Sequence, residues 1–431
     1  MRTIGQCRRR IRSTALGVLS HFPKLRLFIR HAYWKYEAGA YAKNANNISV
    51  DKRHVLFESF GGRSFSCSPR SIYLAMLNDS RFADYTFTWV FKGAARTRQA
   101  RMEPVFSRAT VVQRGSDEYF SAMASAGTLI LNTRLPEYIS PKSDQRFVQC
   151  WHGTPLKRLG YDVQIETTNA LNTTAELAER FGLDAKKWSY LLSPSRYTSE
   201  CLASAFGLPE SRRNSVIIES GYPRNDNIVH ARDDKTGVRC RMLREKFGIP
   251  EGKKVLLYAP TWRDDSYQAG VGYTFDYLID FAALKHELGD DWVVLFRPHY
   301  YIANHFDFSL YRGFVINAAH VDDINELYTV ADILITDYSS VMFDYALLHR
   351  PMMLYAPDFE NYADNIRGFY FNINEVPGPI CRTQDALVQA ILDLDGYWSR
   401  YHEAYSRWQH KFCVLDDGNA SKRVVDAIFA N

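Results

Sequence analysis

Two apolar runs in this chain end in histidine, and each histidine stands beside residues suited to handling an anion. The first run closes in Cys150-Trp-His-Gly-Thr-Pro-Leu-Lys-Arg-Leu-Gly160. His152 falls where a strand gives way to a loop. An imidazole there can take a proton from a hydroxyl nucleophile, because its pKa lies near the working pH. Gly153 permits an unusual backbone angle, and Thr154-Pro155 can open a helix. A structural ring bonded to a backbone carbonyl is the plainer reading of a lone strand-end histidine, and the residues alone leave both open. The second run closes in Leu295-Phe-Arg-Pro-His299. Side chains two apart on a strand share a face, so Arg297 and His299 can address one anion. The alternative is a surface loop with incidental charge.

A third group is Ile333-Leu-Ile-Thr-Asp-Tyr-Ser-Ser-Val341. An apolar strand runs into Asp337, and Ser339 and Ser340 stand at the mouth of an expected helix, Val341–Leu348. Free N–H groups and the helix dipole make such a mouth an anion site. The bland reading is that Ser339 only caps its helix. Arg224, Arg263 and Arg367 each follow a turn, where a guanidinium suits bidentate contact with phosphate. Surface arginines are common, so each is weak alone. The chain has no P-loop, no G-x-G-x-x-G after a strand, no H-E-x-x-H and no G-x-S-x-G. A P-loop NTPase, a dinucleotide dehydrogenase and a zinc or serine hydrolase are therefore disfavoured, and neither metal nor resident cofactor is expected.

These groups need elements to hold them. Apolar strand-like runs recur at 54–60, 85–91, 110–113, 128–132, 147–151, 190–193 and 216–219, with helical patterns between, such as 117–126 and 196–206. The polar stretch Asp226–Thr236 is the expected boundary. Alternation restarts at 255–258, 292–296, 314–317, 333–336 and 352–355. Strands alternating with helices imply mostly parallel sheets covered on both faces. The expectation is two Rossmann-like domains, 51–228 and 229–431, facing each other across a cleft. Ligands bind at the carboxyl ends of such strands, where the unusual residues stand.

Residues 1–50 differ from the rest. They hold ten Lys/Arg and one Glu, a charge of +9, whereas the whole 431-residue chain is +5 and the remainder therefore −4. Ile11, Ala15, Val18, Leu19 and Phe22 share a helical face, and after Pro23 the series restarts at Leu25, Phe28, Ile29, Ala32 and Tyr36. A basic amphipathic arm of this kind lies in an anionic membrane interface, or else packs on the enzyme body. No secretory signal peptide is expected, since Thr14–Phe22 is short and broken by His21. The seven cysteines are scattered with no C-x-x-C pair, which reads as reduced intracellular thiols. No nucleic-acid partner is expected.

Taken together, the blocks FESFGGRSFSCSPRSIY (57–73), CWHGTPLKRLGYD (150–162), SPSRYTSECLASAFG (193–207), SGYPRND (220–226), YAPTWRDD (258–265), RPHY (297–300) and ADILITDYSSVMFDYALLHRPMMLYAPDFENYADNIRGFYFN (331–372) resemble the CDP-glycerol glycerophosphotransferase family. Teichoic-acid primases and polymerases belong to it. The resemblance runs in order over about residues 54–420. It implies a GT-B-like pair of domains, with the acceptor approaching the first and a CDP-polyol bound by the second. The family's two important histidines map onto His152 and His299, its phosphate-binding serines onto Ser339 and Ser340, and its phosphate-contacting arginine onto Arg367. Pro298 departs from the apolar residue or Met common at that place.

The implied reaction is attack of an acceptor hydroxyl on the β-phosphorus of CDP-glycerol or CDP-ribitol, with CMP leaving. His152 is the expected general base. His299, Arg367 and the serines would stabilise the pyrophosphate, with Arg297 and Asp337 beside them; Gly153, Thr154, Arg224 and Arg263 are candidate substrate contacts. The acceptor would be a polymer or its lipid-linked primer, reached from the cytoplasmic face of the membrane. Two rivals stand beside this reading: a glycosyltransferase of the same architecture using a nucleotide sugar, and a non-catalytic membrane-associated scaffold of the same fold.

Overall fold

A computed structural model describes residues 23–164, 173–261, 267–268, 272–273, 279–298, 306–359 and 368–430. The first half of the chain builds a parallel sheet from β1 (Asp51–Glu58), β2 (Thr86–Phe91), β3 (Ala109–Gln113), β4 (Ala126–Leu131), β5 (Arg146–Gln149), β6 (Tyr190–Ser193) and β7 (Ile217–Glu219), in the order β3-β2-β1-β4-β5-β6-β7. The second half builds another from β8 (Lys254–Tyr258), β11 (Trp292–Phe296), β12 (Val315–Asn317), β13 (Ile333–Thr336), β14 (Met352–Tyr355) and β15 (Ile380–Cys381), in the order β12-β11-β8-β13-β14-β15. Between β8 and β11 lies a small antiparallel pair, β9 (Tyr267–Gln268) and β10 (Gly272–Tyr273). All pairings within the two large sheets are parallel.

Central strands such as β4 (AGTLIL) and β13 (ILIT) are buried along their whole length, as helices covering both faces require. Each sheet therefore divides its core in two. Leu129 and Leu191 pack on one face of the first sheet, and Ile130 and Leu192 on the other. In the second sheet Leu257 and Leu334 pack opposite Leu256 and Ile335.

The join between the halves differs from the expected boundary. The polar stretch at 226–236 is mostly helix, Asp226–Asp233, and buries Ile228 and Val229. Its buried Asp226 accepts the N–H groups of Ala420 and Ser421 at 2.9 and 2.8 Å. The acid thereby caps the final helix, Ala420–Phe429, whose Val424, Val425 and Ile428 pack with Ile72 and Met76 against the first sheet. The chain thus crosses back at its end, and the second unit does not run unbroken to residue 431. Arg423 fastens the crossing through its Nε–H to the Ser220 carbonyl at 2.9 Å.

Pro23–Ala45 is helical. It docks on the body through Tyr41 against Phe120 and through Arg30 and His31 near Glu176 and Glu179. Leu25, Phe28, Ile29, Tyr33 and Tyr36, which share one side at helical spacing, remain exposed. The other expected arm helix, before Pro23, lies outside the described residues. No helix among the described residues is long and apolar enough to cross a membrane.

Candidate active site

The chain segments leaving β1, β4 and β5 stand side by side, because those strands are neighbours in the first sheet. His152 rides on the segment after β5. Its Nδ1 lies 2.8 Å from the carbonyl oxygen of Asn132, which follows β4. A carbonyl oxygen only accepts, so Nδ1 carries the hydrogen and the Nε2 lone pair of the neutral ring is left for other work. The ring packs against Trp151 at 4.4 Å and meets the edge of Phe60 at 5.9 Å, yet stays exposed to the cleft. The bulk of protein around it lowers its pKa below the usual imidazole value. The Asn132 bond opposes that shift, and the Arg224 and Arg134 charges add to it.

Facing His152 across the cleft is the segment after β13. Trp151, His152, Gly153, Thr154 and Lys157 from the first domain and Thr261, Tyr338, Ser339 and Ser340 from the second line a cleft of about 230 Å³. The two sides nearly touch. A Cβ placed on Gly153 would lie 2.7 Å from Ser340 Oγ, so only glycine fits there without displacement. Ser340 precedes its helix and makes no side-chain capping bond, while Ser339 Oγ accepts Val341 N–H at 3.4 Å. The α-helix is only Val341–Tyr345, continued by a 3-10 turn at Ala346–Leu348. So short a helix has a small dipole, and the polar character of this wall rests on the two hydroxyls.

Thr154-Pro155 does not open a helix. The chain stays extended to Leu159 because it pairs with the other domain. Lys157 forms a bridge with Phe369, Arg158 N–H donates to Gly368 O at 3.1 Å, and Tyr370 N–H donates to Leu156 O at 3.0 Å. Tyr370 also donates its hydroxyl to Asp162 at 2.5 Å. The WHGTPLK and GFYF segments are therefore stitched together along one rim of the cleft.

Three expected site residues serve the scaffold. Arg224, expected at the substrate, is only 5% exposed, and its guanidinium is engaged by Asp344 at 3.1 and 3.0 Å. Arg297 donates through Nη1 to the carbonyls of Ala318 and Val321 at 3.1 and 2.7 Å, bracing the segment after β12. Asp337 is buried and accepts Thr261 N–H at 2.9 Å, tying the ends of β13 and β8 together. Thr154 is buried within the cleft wall. Arg263, His299 and Arg367 lie outside the described residues. Among the described residues no His, Cys, Asp and Glu side chains group as a metal site.

The sequence reading missed Asn132 and Gln149, both fully buried at strand ends. A polar residue closing an apolar run, as in LILN and FVQ, was the available signal.

Residues 41–430 match the family model described as CDP-Glycerol:Poly(glycerophosphate) glycerophosphotransferase. The chain is similar to the teichoic acid poly(glycerol phosphate) polymerase of Staphylococcus epidermidis, at 38% identity over 393 residues, taking in 91% of this chain and 52% of that one. It is similar also to the teichoic acid glycerol-phosphate transferase of Staphylococcus aureus, at 37% identity over 382 residues, with 88% of this chain and 93% of that one covered. It thus spans about half the length of the polymerase and nearly all of the transferase. Among solved structures, that of the wall teichoic acid polymerase TagF, in a variant soaked with CDPG, matches with a TM-score of 0.82 and 37% identity, covering 95% of this chain and 97% of that one.

Proposed function

Because the chain belongs to the CDP-glycerol:poly(glycerophosphate) glycerophosphotransferase family, we propose that it transfers glycerol phosphate from CDP-glycerol to a hydroxyl of a teichoic-acid polymer or its lipid-linked primer, releasing CMP. The observation that carries this reading is the cleft in which His152 of one domain faces Ser339 and Ser340 of the other. The acceptor O–H loses its proton to Nε2 of His152 as its oxygen bonds the β-phosphorus. The bond from that phosphorus to the bridging oxygen breaks, and the electron pair leaves with CMP. Such transfer depends on alignment and charge stabilisation more than on covalent help. The two serine hydroxyls donate to the phosphate oxygens. His299 and Arg367 enter the site on family resemblance, as the groups that neutralise charge developing on the leaving group.

The exposed stripe from Leu25 to Tyr36 supports a peripheral seat on the cytoplasmic face of an anionic membrane. Acidic substitution of Phe28 and Tyr36, which are 71% and 74% exposed, should weaken binding to anionic vesicles without lowering turnover on a soluble acceptor. Equal vesicle binding would refute this seat. The transfer itself is tested by incubating the full chain with CDP-glycerol or CDP-ribitol and a lipid-linked acceptor, then weighing the product. Growth by glycerol-phosphate units with CDP-glycerol supports the reading. No mass gain from either donor overturns it.

A further inference from the structure

The two loops flanking His152 are both in backbone conformations that bulky residues avoid. Phe60 has φ of 49° and Trp151 has φ of 50°, in the left-handed region where an aromatic side chain is strained. Such residues persist only where their surroundings over-determine them. Here the surroundings are two buried amides. Asn132 Oδ1 accepts Phe60 N–H at 2.7 Å, while the carbonyl of the same residue holds His152 Nδ1 at 2.8 Å. Gln149 Oε1 accepts Trp151 N–H at 3.0 Å, and its Nε2 donates back to Thr133 O at 3.2 Å. Behind them, buried Asp184 accepts from Gln149 Nε2 at 3.4 Å, Trp188 Nε1 at 3.0 Å and Leu135 N–H at 3.1 Å.

Asn132 and Gln149 are 0% exposed, and apolar residues at such positions would avoid the cost of burying an amide. Asn132 Nδ2 even lacks a partner among the described residues. What the two amides secure is the geometry of the rings around His152. We propose that Asn132 and Gln149 are positioning residues for His152, holding its imidazole and the flanking Phe60 and Trp151 in the strained arrangement that turns Nε2 to the cleft. The inference rests on the reading of His152 as the base. Neither amide reaches the reacting atoms; each acts through the backbone on either side of the ring.

The test uses the full chain with CDP-glycerol and an acceptor analogue. It compares Asn132→Ala, Gln149→Met, Asn132→Asp and His152→Ala by turnover, pH profile, CMP affinity and melting temperature. Misplacing a general base by an ångström costs about 10- to 100-fold in rate. Asn132→Ala and Gln149→Met are therefore expected to lose that much kcat while CMP affinity and the KM for CDP-glycerol stay at wild-type values. Asn132→Asp keeps the acceptor for Phe60 N–H and should regain most of the turnover. Its carboxylate stabilises the imidazolium, so the acid limb of its profile moves to higher pH. Should Asn132→Ala fail to fold, Gln149→Met carries the test of lost turnover. Wild-type kcat in Asn132→Ala and Gln149→Met beside an inactive His152→Ala overturns the inference and leaves the function standing. A joint fall of kcat, CMP affinity and melting temperature marks a merely structural role and also overturns it. Wild-type turnover in His152→Ala removes the base itself, and both readings fall together.

Discussion

Arg224→Ala should destabilise the fold severely and leave the chemistry of the surviving folded protein close to normal. Arg224 and Asp344 are 5% and 7% exposed and share two charge-assisted hydrogen bonds, at 3.1 and 3.0 Å, between the start of the crossover and the helix after β13. The guanidinium also lies 3.9 Å from the Tyr222 ring centroid. Removing it leaves the Asp344 carboxylate buried with one remaining donor among the described residues, Asn225 Nδ2 at 3.2 Å. An uncompensated buried charge costs about 3–5 kcal/mol, and the lost cation–π contact adds about 0.5–1 kcal/mol. The surviving Asn225 bond offsets part of this, so about 3–4 kcal/mol is expected. For a cooperative unit of roughly 150–250 residues that corresponds to a drop of about 6–16 °C in melting temperature. Asp344→Leu should cost a similar amount by stranding the guanidinium, whereas Arg224→Met with Asp344→Leu should recover most of the loss. Urea denaturation of the wild type, Arg224→Met, Asp344→Leu and the double variant gives the cycle, and CMP titration of the folded single variants reports the site. A loss below about 1 kcal/mol in Arg224→Ala, together with weakened CMP binding, would refute the argument and return Arg224 to the substrate.

Gly153→Ala brings a methyl to 2.7 Å from Ser340 Oγ and 3.3 Å from its Cβ, so the cleft walls must part by a few tenths of an ångström. Turnover should fall about tenfold or more with the melting temperature nearly unchanged, and full activity would show that the walls yield freely. His152 must be neutral to act as base, and the protein packed around its ring holds its pKa below the usual imidazole value. Turnover should therefore persist to more acidic pH than an ordinary histidine allows; a pH–rate profile whose acid limb lies at or above the ordinary histidine range contradicts this. Burial also pushes Asp416 up to about 7. A folded-state pKa above the unfolded one means that the fold binds the extra proton, so stability falls as pH rises from about 4 through 7. Denaturant titration of Asp416→Asn should show that part of the decline removed, and an unchanged slope would argue against it.

The strand positions were readable because a parallel sheet buried on both faces writes each strand as a short apolar run. ILITD and VVLFRPH announce both the strand and the residue at its end. The family blocks placed His152, Ser339 and Ser340, and the fold brings these together at one cleft. What was not readable depended on partners far away in the chain. Arg224 looks like any arginine after a turn until Asp344, 120 residues on, is found beside it. The DNIVHARDD stretch looked like a linker because its charges suggested solvent, yet Asp226 is buried on the amides of Ala420 and Ser421. Thr154-Pro155 has a helix-opening signature, but pairing with Gly368–Tyr370 overrides it. Asn132 is marked only as a polar residue closing an apolar run; its partners, Phe60 and His152, lie on two different loops far away in the chain.

The central claim is that His152 is the base of a glycerol-phosphate transfer carried out between the two domains. Its most direct test is CMP release from CDP-glycerol by His152→Ala, measured beside CMP affinity in the same preparation. General-base catalysis contributes about 10²–10⁴ in rate. The account predicts a fall in turnover of about 100-fold or more, with CMP binding and the melting temperature retained, because the donor is held from the opposite wall. Near-normal turnover in a folded variant would contradict it.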